Sequence, residues 1–345
     1  MRDDHDERVE RHARLSATLA AMSDAEIHAL VADAEDAATG VGGHTGTVTV
    51  GGEAVFVKNV PLTALELTRR GSTANLFDLP MFYHYGIGSA GFGAWRELAV
   101  HTMTTEWVLA GTFAGFPLTY HWRVLPHAPG PADPVERDVW VEHWEGSPAV
   151  RARLDALAEA PAVVTLFVER IPYTMDAWLT AQRKPHTLRW PEADLRRGVK
   201  FLRDNGLVHF DAHFRNLLTD GHRIYFADFG LALHEGFELD AEEAAFLERH
   251  RFYDRAYTIG HHFQWLVNNG YEDPARHREI ATIVLDWWRA LEKSRATPYP
   301  AERLDRALLA PDLGAATSAV VQRTSGEHVL TVDDPAELAA PARDT

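Results

Sequence analysis

The chain has 345 residues, of which 46% are hydrophobic and 24% are charged, and its formal net charge is −16. This length is sufficient for two domains or lobes with separate cores. The acidic balance argues against non-specific binding to nucleic acid or to an anionic membrane, because both require a basic protein surface. Cysteine is absent, which excludes disulfides, thiolate zinc sites and a cysteine nucleophile.

No apolar run approaches the roughly 18 residues that a membrane-spanning helix requires. The N-terminal sequence M-R-D-D-H-D-E-R lacks the apolar segment of a signal peptide. We therefore expect a cytoplasmic location and no membrane partner. A polyphosphate ligand would be repelled by so acidic a protein unless local cations and backbone amides reverse the field at its site.

The chain begins with a segment that reads as helical over residues 5–36. Ser23 is followed three residues later by Glu26, which is the spacing of a capping box that opens a second helix. We therefore expect residues 1–38 to form an N-terminal helical extension.

A β-rich region follows this extension. Residues 47–50 and 53–60 read as two strands around a Gly51-Gly52 turn, and residues 61–93, rich in Gly, Phe and Tyr, read as an irregular insertion. The other elements predicted here are a helix over residues 94–110, a strand over residues 116–125, a surface loop over residues 126–134 and a strand over residues 163–169.

Beyond Ile171-Pro172 the predicted elements are mainly helical. The sequence favours helices over residues 175–181, 191–205, 241–249, 257–268 and 274–293. The order of the predicted elements, with strands concentrated before residue 170 and helices after it, predicts an α+β fold with a small β-rich lobe over residues 39–169, a larger helical lobe over residues 170–315 and a cleft between them. Residues 316–345, rich in Ala, Pro and Asp, are expected to form a loosely ordered tail.

The most informative segment is G-L-V-H-F-D-A-H-F-R-N-L-L-T-D-G-H-R-I-Y-F-A-D-F-G, residues 206–230. Within it, residues 217–219 and 223–227 read as two strands joined by an Asp220-Gly221 turn. This hairpin predicts that the oxygen-bearing side chains before and after it lie close together.

Three side chains at this hairpin carry the expected chemistry. Asp211 can orient a hydroxyl and accept its proton, whereas Asn216 and Asp228 can hold a hard cation through oxygen ligands. The alternative for Asp211 and Asn216 is a turn role, and for Asp228 a helix N-cap. The apolar strand before Asp228 favours the ligand role, because a buried carboxylate without a cation is costly.

The segment resembles the catalytic and magnesium-binding loops of the protein-kinase-like superfamily, H-x-D-x-x-x-x-N followed by D-F-G. The D-x-H-x-x-N form is similar to that of aminoglycoside phosphotransferases and choline-kinase-like enzymes, whereas D-F-G and V-F-V-K are typical of protein kinases. The resemblance spans residues 40–265 and implies a two-lobed kinase-like fold with ATP and Mg²⁺ as cofactors. It also implies Asp211 and its neighbour His213 as catalytic residues, and Asn216 and Asp228 as metal ligands.

The chain has His213 where regulated protein kinases usually have a lysine, and it departs from them at two further places. Phe210 stands where those kinases have an arginine before the catalytic aspartate, and no A-P-E sequence follows Gly230. Without that arginine, switching by activation-loop phosphorylation loses its usual anchor. The departures favour a constitutively assembled kinase, and they leave the acceptor open between a small molecule and a protein or peptide.

Lys58 ends the strand sequence V-F-V-K, and strand alternation places it on the same sheet face as Phe56. A lysine on that face requires an anion, which nucleotide phosphates would supply; an edge-strand lysine directed to water is the alternative. The resemblance implies that Lys58 binds the phosphates and that Phe56 lies at the base pocket. It further implies a helix glutamate as the partner of Lys58, either Glu97 or its rival Glu106.

Two further parts of a nucleotide site follow from the resemblance. Gly43 and Gly46 resemble the second half of a phosphate-covering glycine-rich loop, although a flexible linker into the β lobe is the alternative. Glu169 to Ile171 corresponds in position to the hinge that recognises the base through backbone groups.

These observations predict an ATP- and Mg²⁺-dependent phosphotransferase that moves the γ-phosphate to a hydroxyl of a small molecule or of a protein. A non-catalytic pseudokinase that acts as scaffold or nucleotide sensor is the alternative. A third possibility keeps the fold but transfers a nucleotidyl group. The sequence indicates neither the acceptor nor the oligomeric state.

Overall fold

The computed structural model describes residues 2–40, 43–85, 89–127, 134–182 and 189–255, together with Tyr257, Thr258, His262 and Trp265. Helices and mainly antiparallel strands are mixed along these residues, in agreement with the predicted α+β class. The helices expected over residues 257–268 and 274–293, and the expected tail, fall largely or wholly outside this part of the chain. No helix in the described ranges has the length and apolarity needed to cross a bilayer.

The N-terminal segment forms two helices, α1 (Arg2–Ala21) and α2 (Asp24–Ala32). The predicted capping box at the start of α2 is confirmed: Ser23 accepts from the Glu26 N–H, and the Glu26 side chain accepts from the Ser23 N–H. The helical prediction extends too far, however, because Glu35–Gly40 is strand β1. The expected boundary at residue 38 therefore falls inside a strand.

A five-stranded antiparallel sheet, here called the main sheet, contains β1 and the strands β2 (Gly43–Val50), β3 (Glu53–Leu62), β4 (Thr119–Pro126) and β5 (Ala162–Glu169). Its strand order is β1-β2-β3-β5-β4. The predicted β2–β3 hairpin is confirmed, with Gly51 (φ 56°) and Gly52 (φ 84°) in the left-handed region that a tight hairpin turn requires.

The segment between β3 and β5 contains helix α4 (Ala94–Leu109), as predicted. The insertion before α4 is largely irregular, with one short helix, α3 (Ala64–Thr68), and a 3₁₀ turn over Met81–His84. Two helices before β5 went unpredicted, α5 (Pro134–His143) and α6 (Pro148–Ala158).

The signal for α6 was present in the sequence. Ser147 caps this helix by accepting from the Val150 N–H, and Pro148 follows at its first turn. Strand β4 also begins three residues later than predicted, because residues 116–118 lead into the sheet without belonging to it.

After β5 the chain is mainly helical, as predicted. The helices are α7 (Met175–Gln182), α8 (Arg189–Asp204) and α9 (Ala241–His250). The same part of the chain contains five short strands, β6 (Tyr173–Thr174), β7 (Leu207–Val208), β8 (Leu217–Thr219), β9 (Ile224–Phe226) and β10 (Leu233–His234). Three of them form a small sheet in the order β6-β8-β9, and β10 pairs with β7 in a two-stranded sheet.

One hydrophobic cluster joins the main sheet to the helices that follow it. Val57 and Phe167 of the main sheet belong to the same buried cluster as Leu15 of α1, Phe226 of β9 and Leu247 of α9. A second cluster packs α4 against the sheet. The strands and helices that carry the site described next are thus held in one continuous core, which fixes their positions relative to one another.

Candidate functional site

A buried ammonium group lies between two carboxylates contributed by distant parts of the chain. Lys58 of β3 has its Nζ 2.6 Å from Glu97 Oε1 on α4 and 2.8 Å from Asp228 Oδ1, which follows β9. The Lys58 side chain is only 9% exposed and Glu97 4%, whereas 47% of the Asp228 side chain is exposed. Lys58 thus pairs with Glu97 rather than with Glu106, which lies on the exposed side of α4.

The charges in this cluster reinforce one another. Burial disfavours a charged lysine, but the carboxylates of Asp228 and Glu97 outweigh it and raise the pKa of Lys58. Burial also opposes ionisation of Asp228, yet the adjacent Lys58 lowers the pKa of this carboxyl to about 2. At neutral pH, Lys58 is therefore an ammonium and Asp228 a carboxylate directed at an open space.

Asp211 and Asn216 lie together in the segment that precedes β8. The Asn216 amide nitrogen donates to the Asp211 carbonyl oxygen at 3.1 Å and to Asp211 Oδ2 at 2.8 Å. Both of these Asp211 oxygens are acceptors, so the amide nitrogen of Asn216 must face Asp211 and the amide oxygen must face away from it. Asn216 therefore orients the Asp211 carboxylate and keeps its own oxygen for another contact.

The second oxygen of Asp211 is buried, and no described residue makes a hydrogen bond with it. Burial, followed by the charge of Asp228, raises the pKa of Asp211 to about 8. A buried acceptor with no donor is costly, and each such group in a folded protein calls for an explanation. A ligand hydroxyl that donates to this oxygen would provide one.

His213 and His209 flank Asp211, and both are neutral. His213 Nδ1 accepts from the N–H groups of Arg215 and Asn216, which assigns the ring proton to Nε2, 3.6 Å from Asp211 Oδ1. His209 is fully buried and its Nε2 donates to the Ala227 carbonyl, so its role is structural. Burial lowers the pKa of both histidines, that of His209 to about 4.

The buried carboxylate of Asp254 holds the backbone of the two residues that precede Asp211. Asp254 accepts from the N–H groups of His209 at 2.7 Å and Phe210 at 3.0 Å. Phe210 has a φ of 64°, a left-handed conformation that is uncommon for a bulky residue. Asp254 was not recognised in the sequence, because a lone aspartate 44 positions away carries no local signal.

The predicted hairpin is confirmed and delivers Asp228. Strands β8 and β9 pair from Leu217↔Phe226 to Thr219↔Ile224, and Asp220 closes the turn by accepting from the N–H groups of His222 and Arg223. Asp228 has a φ of 63° directly after β9. The turn of the chain at this residue directs its carboxylate toward Lys58.

A cavity of about 400 Å³ opens beside these groups. Main-sheet residues form one part of its wall, the segment over residues 168–174 a second, and residues around β8 and β9 a third. Seven residues predicted for the site line this cavity: Gly46, Phe56, Lys58, Glu169, Ile171, Asn216 and Asp228. Residues that border the cavity but were not predicted include Thr47 of β2 and Leu218 of β8, whose positions depend on strand pairing, and Arg215, which precedes Asn216 in the motif segment.

Four predicted residues do not line the cavity. Glu97 contacts the lining residue Lys58, and Asp211 contacts the lining residue Asn216. His213 lies 3.6 Å from Asp211. Gly43 was expected to contact phosphate, but it packs against β3: a Cβ there would lie 2.0 Å from the Asn59 carbonyl oxygen. Pairing with β3 thus explains why position 43 is a glycine.

Glu169 borders the cavity but directs its carboxylate away from it. Both of its oxygens bind Arg8, and one also accepts from the Leu118 N–H. The predicted contact of this segment with a ligand can therefore involve only the backbone of Glu169 and the residues after it. Arg8 was not anticipated from the sequence.

The donors at the cavity suit a hard cation that retains most of its other ligands. The Asn216 amide oxygen and the Asp228 carboxylate are neutral and anionic oxygen donors, the type that Mg²⁺ prefers. No group of three or more His, Asp, Glu or Cys side chains in the described part of the chain is arranged to hold a metal alone. A metal here would therefore need ligand oxygens, such as phosphates, to complete its coordination.

Comparison with known proteins adds no family to this description. No family model matches the chain, and no curated protein matches it at a significant level.

Proposed function

We propose that this chain is an ATP- and Mg²⁺-dependent phosphotransferase that moves the γ-phosphate of the nucleotide to a hydroxyl of a small molecule or of a protein. The observation that carries the proposal is the buried Lys58 ammonium held between Glu97 and Asp228 at one end of a 400 Å³ cavity. The lysine–glutamate ion pair and a metal-binding aspartate are the parts that position phosphates in kinases.

A two-lobed kinase-like architecture is part of the proposal. The main sheet with α4 would be the smaller lobe, and helices α7–α9 with the three-stranded sheet the larger one. The strand order β1-β2-β3-β5-β4 and a cavity walled by both groups of elements support this division. The nucleotide base would lie between Phe56 of β3 and Leu218 of β8, which border the cavity from the two sheets.

Lys58 would bind the α- and β-phosphates. Glu97 holds its ammonium in place with an ion pair that is almost fully buried. A charge fixed in a desolvated site costs little reorganisation when phosphate charge develops during transfer. Phosphates would share Lys58 with Asp228, and Mg²⁺ would offset the negative charge that they add to the carboxylates around the site.

The Asn216 amide oxygen and the Asp228 carboxylate would hold Mg²⁺, with phosphate oxygens and water as further ligands. When bound, magnesium would neutralise charge on the β- and γ-phosphates and lower the pKa of nearby carboxyls. Asp228 is suited to this position because its pKa of about 2 keeps it ionised throughout the physiological range.

Asp211 would orient the acceptor hydroxyl through its unpartnered oxygen. In the reaction, the hydroxyl oxygen forms a bond to the γ-phosphorus, the bond from that phosphorus to the bridging oxygen breaks, and ADP leaves. The hydroxyl proton passes to Asp211. Asn216 holds the other carboxylate oxygen at 2.8 Å, which fixes the direction of attack.

Buried contacts of α4 support a constitutively assembled enzyme. Helix α4, which carries Glu97, is tied to α9 by a buried ion pair between Arg96 and Glu243 at 2.8 Å. Its N-terminus is capped by Glu66, which accepts from the Ala94 N–H and pairs with Arg153 of α6. Both contacts hold Glu97 within reach of Lys58.

The test is magnesium-dependent turnover of ATP, followed by a screen of hydroxylated metabolites and peptides for phosphate transfer. Replacing Asp211 with Ala should abolish transfer while nucleotide binding stays within a few-fold of the wild type. Equal transfer by this variant would contradict the mechanism.

Two alternatives are separated by the same experiment. A pseudokinase would bind the nucleotide without turnover in any acceptor mixture. A nucleotidyl transferase would increase the mass of its product by an AMP group rather than by a phosphate, which mass spectrometry distinguishes.

A further inference from the structure

Helix α1 lies along the edge of the main sheet and reaches the cavity wall. Strand β4 is at the edge of this sheet, and α1 contacts it over much of its length. Arg8, His12 and Ser16, each four residues apart on one helix face, bind backbone carbonyl groups of Phe116, Thr119 and Tyr120. Successive turns of α1 therefore contact successive positions along the segment that leads into β4 and along the start of this strand.

The first of these side chains, Arg8, binds the residue that begins the base-facing segment. Its Nε donates to Glu169 Oε1 at 3.0 Å and its Nη2 to Oε2 at 2.5 Å, a two-pronged ion pair whose side chains are 4% and 8% exposed. Such forks fix geometry as well as charge. Glu169 ends β5, and the residues directly after it border the cavity.

The same guanidinium also contacts the segment before β4 and strand β9. Arg8 donates to the Ala114 and Phe116 carbonyls, and its guanidinium carbon lies 5.4 Å from the ring centre of Tyr225 in β9. Strand β9 leads to Asp228. One side chain outside the sheet therefore touches both the strand that ends at the base-facing segment and the strand that carries the metal-binding carboxylate.

We infer that Arg8 is a positioning residue of the nucleotide site: through Glu169 it fixes the backbone of residues 169–171 that recognises the base. The inference rests on the proposed function. It makes α1 part of the active site rather than an appendage. Loss of the fork should allow the end of β5 to shift, while Lys58 and Asp228, which bind the phosphates, keep their own partners.

The experiment measures the affinity of the full chain for Mg²⁺-ATP and for Mg²⁺-tripolyphosphate, which lacks base and ribose. In Arg8→Gln we expect ATP affinity to fall at least tenfold and tripolyphosphate affinity to change less than twofold. Arg8→Lys, which keeps the charge but loses the fork, should restore part of the ATP affinity. Arg14→Gln is the matched control on the same helix, since the half-exposed Arg14 pairs with Glu53 at the surface, and it should bind as the wild type does.

Unchanged ATP affinity in folded Arg8→Gln, or an equal loss for both ligands, would overturn the inference. Because Arg8→Gln leaves the buried Glu169 with only the longer 3.8 Å contact to Arg11 among the cations of the described residues, circular dichroism must first show that the variant is folded. If it is not, Arg8→Lys decides: ATP affinity equal to that of the wild type overturns the inference, and a selective loss supports it. A wild-type chain that binds neither ligand would instead contradict the proposed function.

Discussion

At the scale of single residues, the site is built from charges that depend on one another. Lys58 is stabilised as an ammonium by two carboxylates, and Asp228 is kept ionised by Lys58. Asp211 has the opposite environment, because burial and the charge of Asp228 outweigh the hydrogen bond from Asn216 and the charge of Lys58. The three groups therefore respond differently to substitution and to pH.

The raised pKa of Asp211 predicts a specific pH dependence of stability. Its pKa is about 8 in the folded protein against an ordinary value of 3.8, so the folded state holds this proton more tightly than the unfolded chain does. The stability that Asp211 contributes through its bound proton is fully present below pH 3.8, and it is lost as the pH rises through 8. Since a pKa difference of one corresponds to about 1.4 kcal/mol, Asp211→Asn should gain stability relative to the wild type over this window.

Urea unfolding of the ligand-free proteins at a series of pH values checks this expectation. The comparison with Asp211→Asn cancels the contributions of the buried histidines, which are common to both proteins. Two curves that run parallel from pH 4 to pH 8 would show that Asp211 is not the perturbed group.

The buried pair of Lys58 and Glu97 predicts strong coupling in stability. Lys58→Met alone should lower the free energy of unfolding by about 3 kcal/mol, because Glu97 is left buried without its cation. The double variant with Glu97→Gln should recover at least half of this loss while remaining inactive. A double-mutant cycle in denaturant measures the coupling, and additive effects of the two substitutions would contradict a direct interaction.

At the scale of secondary-structure elements, the sequence predicted local patterns well and pairings across the fold poorly. The hairpin over residues 217–226 and the helix α4 follow from turn residues and periodicity within a few positions. Strand β1 was missed because its sequence, Glu35–Gly40, lacks alternating apolar residues and is a strand only by pairing with β2. Propensity cannot reveal such an element, since its partner decides its conformation.

The same limit applies to the candidate site. Lys58, Asn216 and Asp228 were predicted because a spacing of motif residues survives in the sequence. Arg8 and Glu169 are 161 positions apart, and neither lies in a motif. The residues that carry the chemistry of the site can thus be recognised from local sequence patterns. The residues that hold them in place make side-chain contacts between distant positions, which the sequence does not reveal.

The ion pair between α4 and α9 predicts that these helices are stabilised together. Glu243→Gln leaves Arg96 buried without its carboxylate, which should cost about 3 kcal/mol. Hydrogen exchange should then accelerate in both α4 and α9. Glu242→Gln is the control, because Glu242 is exposed at the preceding position of the same helix. Faster exchange confined to α9 would show that the pair does not hold α4.

At the scale of the whole molecule, a ligand that contacts both sides of the cavity should stabilise the entire fold. A ligand at one hundred times its dissociation constant adds about 2.7 kcal/mol to the free energy of unfolding. We therefore expect Mg²⁺-ATP to raise the melting temperature in one cooperative transition. In Asp228→Asn the increase should no longer depend on magnesium, since one of the two proposed metal ligands is lost. A magnesium-dependent increase that persists in this variant would place the metal elsewhere.

The position of α1 along β4 has a consequence for the solubility of shortened chains. An edge strand presents unpaired backbone groups that can bind a strand of another molecule, and natural proteins cover or charge such edges. A chain that starts after Met22 would lose the cover of β4 and expose the apolar surface that Leu15 and Leu19 now bury. We expect such a chain to aggregate, which light scattering would detect, and a monodisperse product would show that β4 is protected by other means.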